Sequence, residues 1–215
     1  MSENKTAFII CGALGREVLD IVAKHGWDAD VVGVAALDHM FPERIAPDVE
    51  KRILALRDKY ERLIVVYGDC GSRGALDKVL ADHEIERIQG PHCYEMYAGS
   101  TFEDLMEEEL GTFFLTDFLV RGFRGTVIKG MGLDKHPHLK GEYFRNYKRV
   151  VYLAQNGNQE LREKAQEIAD YLGFPLEIRE TGYGELENRL VRLMEAEPNS
   201  TSSQKRQPIQ EGEGN

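Results

Sequence analysis

Short apolar runs alternate with amphipathic stretches along most of the chain, and each run ends in a small or polar turn. Residues 6–10 read as a buried strand. Residues 15–25 read as a helix with Val18, Leu19, Ile21 and Val22 on its apolar face and Gly26 as its stop. A second strand is predicted over 30–36. A helical segment opens at Pro42, restarts at Pro47, and is carried to about residue 60 by Val49, Ile53, Leu54 and Leu56. A third strand (62–67), a helix (73–82) and a short strand (86–88) follow. The pattern resumes with a strand at 149–155, a helix at 159–172 stopped by Gly173, a strand at 175–179 and a last helix at 185–195. Strands alternating with amphipathic helices predict an α/β protein: a three-layer, Rossmann-like fold around a mostly parallel sheet.

Residues 94–148 break the rhythm. They predict helices near 102–108 and 116–122, then a stretch rich in Gly and His, and no strand. The expectation is a single domain over 1–195 in which 94–148 forms a helical insertion or lid. From residue 196 the chain is Ser, Gln, Pro, Gly and Glu with hardly an apolar residue, so 196–215 is expected to be a disordered tail. A weak internal repeat is also visible. Ile9-Ile10-Cys11-Gly12, Val65-Val66-Tyr67-Gly68 and Val151-Tyr152-Leu153-Ala154 each lead through a small or polar turn into a helix. Any parallel α/β protein shows that plan.

Composition narrows the function classes. The 215 residues are 42% hydrophobic and 30% charged, ordinary for a folded globular chain. A net charge of −10 argues against broad binding to nucleic acid or anionic membrane. No apolar run approaches the roughly 20 residues of a membrane span, and Met1-Ser2-Glu3-Asn4-Lys5 leads straight into a strand instead of forming a signal peptide. An odd count of three cysteines predicts no disulfide framework, and a cytoplasmic location is the expectation.

Where those cysteines fall matters more than their number. Cys11 ends the first strand, Cys70 follows the third in a Gly68-Asp69-Cys70-Gly71 turn, and Cys93 follows the fourth. Parallel sheets build sites at the carboxyl ends of their strands. Three thiols gathered there would make a metal or iron–sulfur site with one coordination position open. Gly12 and Gly71 would leave room for a cofactor against the backbone, and His92 or His39 could complete a zinc site. The plainer reading is that cysteine is a small hydrophobe common beside strands.

Other candidates cluster nearby. Asp69 could act as acid, base or helix cap, and the glycine-spaced turn around it could hold an anion, although it lacks the Walker lysine. His92 and Tyr183 are expected to transfer protons or position substrate. Asp134-Lys135-His136-Pro137-His138 comes near the Asp-x-His-x-x-Gly corrinoid pattern, but Gly141 stands five residues after His136 where the pattern needs three. Arg145, Lys148 and Arg149 form a local basic cluster suited to a carboxylate or phosphate.

The chain resembles the domain-of-unknown-function family numbered 1638. The resemblance is carried by Cys11-Gly12-Ala13-Leu14 with Arg16-Glu17, His39 with Pro42-Glu43-Arg44-Ile45, Tyr67-Gly68-Asp69-Cys70-Gly71 and Gly90-Pro91-His92-Cys93-Tyr94. It continues through Gly111-Thr112-Phe113-Phe114-Leu115-Thr116-Asp117-Phe118, Val151-Tyr152-Leu153-Ala154-Gln155 and Thr181-Gly182-Tyr183-Gly184. It implies a setting in methylotrophic one-carbon metabolism, beside corrinoid-dependent methylamine methyltransferases. The plan also resembles enzymes such as quinolinate synthase, where three separated cysteines hold a [4Fe–4S] cluster. The expectation is therefore a metal- or iron–sulfur-dependent cytoplasmic enzyme, with Cys11, Cys70 and Cys93 as ligands and a small polar metabolite as substrate. The alternative is a non-catalytic accessory protein that binds a corrinoid protein, a methyltransferase or a small metabolite.

Overall fold

The computed structural model describes residues 6–196. The expected tail beyond residue 196 and the side chain of His39 lie outside the described residues. The chain is a mixed α/β protein of parallel sheets flanked by helices, as the alternation predicts. Among the described residues, seven strands are divided between two sheets.

The first sheet is formed by β1 (Thr6–Cys11), β2 (Ala29–Val34), β3 (Arg62–Val66) and β4 (Glu86–Arg87), in the order β2-β1-β3-β4. Every pairing is parallel. β1 is central and all six of its residues are buried, which is why it reads as an unbroken apolar run: a parallel strand covered on both faces has no solvent side. α1 (Gly15–His25), α2 (Ile45–Leu56) and α3 (Ala75–Asp82) are its connections. Gly26 closes α1 in the left-handed region at φ 63°, where a side chain would be strained.

α4 (Cys93–Ala98) and α5 (Ser100–Glu108) carry the chain to the second sheet. This comprises β5 (Thr112–Thr116), β6 (Arg149–Ala154) and β7 (Leu176–Glu180), parallel and in chain order. Around it lie α6 (Asp117–Phe123), α7 (Lys140–Tyr143) and α8 (Gln159–Leu172). Region 94–148 is therefore not wholly helical. Its strand β5 opens the second sheet, and Thr112-Phe113-Phe114-Leu115-Thr116 has the β-branched and aromatic make-up of a strand.

α9 (Gly184–Glu195) leaves the end of β7 and returns to the first half. Its Leu186 and Leu190 are fully buried in the core that surrounds β1 and β3. It also packs on α4, where the Arg189 guanidinium grips the Glu95 carboxylate through two hydrogen bonds of 2.8 and 2.5 Å. The two halves are thus joined twice. Among the described residues, no helix is long and apolar enough to cross a membrane.

Candidate functional site

The carboxyl ends of the two sheets meet around a cavity of about 180 Å³. Cys11, Cys70 and Cys93 line it from the first half, together with His92, and Thr116, Phe118 and Leu119 line it from the second. Three thiols separated by 59 and 23 positions in the chain therefore face one space, as expected of strand-end residues. Phe118 and Leu119 belong to region 94–148, so this region closes the cavity on one side.

Local backbone geometry brings Cys70 to Cys93. The Cys70 N–H donates to the Pro91 carbonyl at 2.8 Å, and the Asp69 N–H to the Gly90 carbonyl at 3.4 Å. Gly68 permits this contact, because a Cβ there would stand 2.8 Å from the His92 Cα and the Pro91 oxygen. Cys70 itself sits at φ 45°, a left-handed conformation that a non-glycine residue holds at some strain.

The thiols share an environment as well as a cavity. Burial pushes each of them up; Cys11 and Asp69 push Cys70 further, and Cys70 and Cys11 push Cys93 further. Cys70 is raised to about 12. Among the described residues no lysine or arginine lines the cavity, and the raised thiols are neutral near pH 7. Among the described residues, no group of three His, Cys, Asp or Glu side chains is already arranged to hold a metal ion. The cysteines line the cavity.

His92 caps α4, its Nδ1 accepting the Glu95 N–H at 3.3 Å. A neutral imidazole that accepts at Nδ1 carries its proton on Nε2. Burial lowers the basicity of His92 and keeps it neutral. Phe102 meets its ring edge-on at 4.7 Å, with Tyr94 at 5.5 Å.

The remaining expected site residues have other duties. Asp69 does not line the cavity. Its carboxylate is turned onto its own loop and accepts from the Gly71, Arg73 and Gly74 N–H groups and the Ser72 hydroxyl. These donors hold it below the usual carboxylate range and leave a poor base. Tyr183 also lies away from the thiols, its hydroxyl donating to Asp20 at 2.7 Å. Gly12 lines a neighbouring cavity of about 390 Å³ and packs against β2, where a Cβ would meet the Val34 carbonyl at 2.8 Å. Gly71 is needed for its φ of 86°, and it faces the Pro42 ring. His136 and His138 are exposed and apart from the cavity. In the basic cluster, Arg145 pairs with Glu142, and Arg149 binds the Thr112 hydroxyl, the Leu105 carbonyl, Glu108 and Glu177.

Two buried acids on the cleft side escape a reading of the sequence. Asp117 is fully buried at the start of α6. It accepts from the Tyr152 hydroxyl (2.6 Å), the Gln155 and Asn156 N–H groups and Arg121 (3.1 Å), and so ties the end of β5 to that of β6. Glu17 is buried on α1 with Arg121 at 4.0 Å, and burial raises its carboxyl. It lines a second cavity of about 390 Å³, which shares Ala13 and Phe118 with the thiol cavity. The hint for Asp117 was its place directly after a strand, at a helix start. Glu17 was marked only by its place in the residues that carry the family resemblance.

No curated protein and no solved structure matches the chain. The family model described as "Protein of unknown function (DUF1638)" matches residues 35–190, well over half of the chain, with Cys70, His92 and Cys93 inside the match and Cys11 before it. On that match, the chain belongs to the DUF1638 family.

Proposed function

We propose that this protein is a cytoplasmic metal- or iron–sulfur-dependent enzyme acting on a small polar metabolite. The observation that carries the reading is the convergence of Cys11, Cys70 and Cys93, from three separate strand ends, on one cavity. The donor set suits a soft metal: three sulfurs, one imidazole beside them and, among the described residues, no cationic side chain to compete for the space. A metal bound there would have to displace the thiol protons, so binding should strengthen as pH rises. When bound, such a group supplies an open Lewis-acidic position for a substrate oxygen or nitrogen.

The chain's own residues have separable roles in this reading. A cavity of about 180 Å³ lies well below the roughly 300–1,000 Å³ of pockets for drug-sized ligands, which favours a substrate of few heavy atoms. His92 transfers a proton at Nε2. Asp69 acts as a positioning residue by fixing the Cys70 turn, and Phe118 and Leu119 keep water out. A one-carbon or methylamine substrate is the finer proposal that the family resemblance suggests.

A second reading is a non-catalytic accessory protein that binds a corrinoid protein, a methyltransferase or a small metabolite. Protein purified without oxygen and analysed for metals separates the two. Iron or zinc near one site per chain, lost in each of Cys11→Ser, Cys70→Ser and Cys93→Ser, supports the enzyme. Metal-free protein that co-purifies with a methyltransferase supports the accessory role and overturns the first reading.

A further inference from the structure

The metal-dependent reading leaves the second cavity, of about 390 Å³, without a use. It opens where β1 passes through Gly12 into α1, and α6 supplies the rest of its wall. Two guanidinium groups and one carboxyl line it: Arg16 and Glu17 from the first turn of α1, and Arg121 from α6. Arg16 makes no ion pair or side-chain hydrogen bond among the described residues. Arg121 gives one N–H to Asp117 at 3.1 Å and stands 4.0 Å from Glu17, beyond hydrogen-bond reach. Further donors of its guanidinium therefore remain for a ligand. Asp117 offsets the charge of Arg121, and that of Arg16 stays uncompensated.

A glutamate as buried as Glu17 is rare without a close ionic partner. Burial raises its carboxyl, against its own backbone N–H and Arg121, with Asp117 and Asp20 adding to the rise. A protonated carboxyl is a hydrogen-bond donor. The cavity thus offers one net positive charge, N–H donors from two guanidinium groups and a carboxyl O–H, beside the apolar side chains of Leu19 and Phe118. That set fits one carboxylate on a short apolar chain. A phosphate monoester carries nearly two negative charges, more than these walls offset, and an ammonium ion would face both arginines.

We propose that this cavity binds a small monocarboxylate, its carboxylate held by Arg16 and Arg121 against the Glu17 carboxyl. The site needs no metal, and it shares Ala13 and Phe118 with the thiol cavity, so a ligand anchored here lies next to the sulfurs. Binding and the Glu17 proton are linked. A bound anion favours the protonated carboxyl, and the protonated carboxyl favours the anion by the same factor. Affinity therefore falls as pH rises through the folded value of Glu17. The other groups that face Glu17 are Arg121 and Asp117 of α6, Asp20 of its own helix, and the hydroxyls of Tyr97 and Tyr183. Burial pushes both phenols up, so they stay neutral throughout.

The test is a titration of the metal-free full chain with acetate, followed by NMR chemical shifts. Wild type is expected to show one saturable site whose affinity falls between about pH 5.5 and about pH 8, a range in which carboxylates such as acetate are ionised. Arg16→Gln should weaken acetate by about tenfold or more and leave Tm unchanged, because it breaks no ion pair of the folded chain. Glu17→Gln should still bind, with an affinity that no longer changes across this range. A merely structural Glu17 would leave the two pH profiles alike, and that result overturns the proposal. No saturable acetate binding, or binding that Arg16→Gln leaves unchanged, overturns it too. So does inorganic phosphate or methylammonium binding more tightly than acetate. No arm involves a metal, so the thiol cavity's metal dependence stands or falls by its own experiment.

Discussion

Gly68 and His92 lie backbone against backbone: a single added methyl group on Gly68 would stand 2.8 Å from the His92 Cα. This contact seats the turn that carries Cys70 on the turn that carries Cys93, and the Cys70 N–H hydrogen bond to Pro91 holds it there. Gly68→Ala should push the two turns apart. Neither obstacle is the far end of a flexible side chain, so the expected loss is about 1–3 kcal/mol, read as roughly 2–4 °C of Tm per kcal/mol for a chain of this size. A short bifunctional thiol reagent should bridge Cys70 and Cys93 in wild type and fail in the variant. Equal melting and equal bridging would show that the contact positions nothing.

Cys70 supplies a prediction in which stability and chemistry part. At φ 45° its backbone is in the region that disfavours L side chains. Cys70→Gly relieves that strain, whereas Cys70→Ala keeps it and loses the sulfur. The glycine variant should therefore be the more stable of the two by about 1 kcal/mol, measured by urea denaturation. Both should lose metal alike. If alanine proves the more stable, the left-handed backbone carries no strain.

Much of this architecture is legible in the sequence, for reasons that differ between elements. β1 and β3 announce themselves because a doubly covered parallel strand is apolar throughout. α8 is read without error at both ends, since Asn158 caps it through Oδ1 and Gly173 stops it at φ 87°. β5 escapes because its five residues follow helical segments and too few apolar positions separate a strand from a buried helix. At the site, strand-end logic locates the three thiols and His92, since their positions follow from topology. It says nothing of the partners of Asp69 and Tyr183, which are decided by loop conformation. It misses Glu17, because a glutamate on an amphipathic helix reads as solvated until a second half of the molecule covers it.

Asp69 gives an acid-range prediction. Its folded carboxyl is held below the unfolded value of about 3.9, so the group stabilises the native state above that value. This contribution is lost as pH falls through the lower folded value. Asp69→Ala should cost about 1–2 kcal/mol at pH 7, the range for removing a side-chain cap. The difference from wild type should shrink below pH 4. Chemical denaturation at pH 7 and pH 3 measures both. A gap that stays constant would mean that the charge of the carboxylate contributes nothing to the turn.

Glu17 has the opposite sign. Burial raises its folded carboxyl, against the lowering effect of Arg121 and with Asp117 and Asp20 adding to the rise. The native state therefore holds the proton more tightly than the unfolded chain does. The stability from that proton is complete below the unfolded value of about 4.3 and is lost as pH rises through the folded one. Glu17→Gln keeps the shape and has no charge to bury. It should match wild type near pH 4 and become the more stable protein as pH is raised. Wild type overtaking the glutamine variant toward pH 8 would mean that the Arg121 pairing outweighs the burial.

The return of α9 to the first half depends on Gly184, and this yields the largest effect. Gly184 holds φ 51°, and a Cβ there would run into the Tyr97 carbonyl of α4, a backbone atom that cannot swing aside. Gly184→Ala meets both obstacles, so α9 should lift from α4. Lifting exposes Leu186 and Leu190, each fully buried and each contributing about 1.5–3 kcal/mol by its burial, and it weakens the Arg189–Glu95 pair. The expected outcome is a loss of more than about 2 kcal/mol, beyond the usual range for a surface substitution, with protease cleavage near α9 preceding cleavage elsewhere. A matched change at Gly141, whose added Cβ would meet nothing within 4 Å, serves as the control and should leave both stability and the cleavage pattern near wild type. If Gly184→Ala behaves like that control, α9 is not the clasp that joins the two halves, and the strand ends that form the thiol cavity must be held together by the α4–α5 crossing alone.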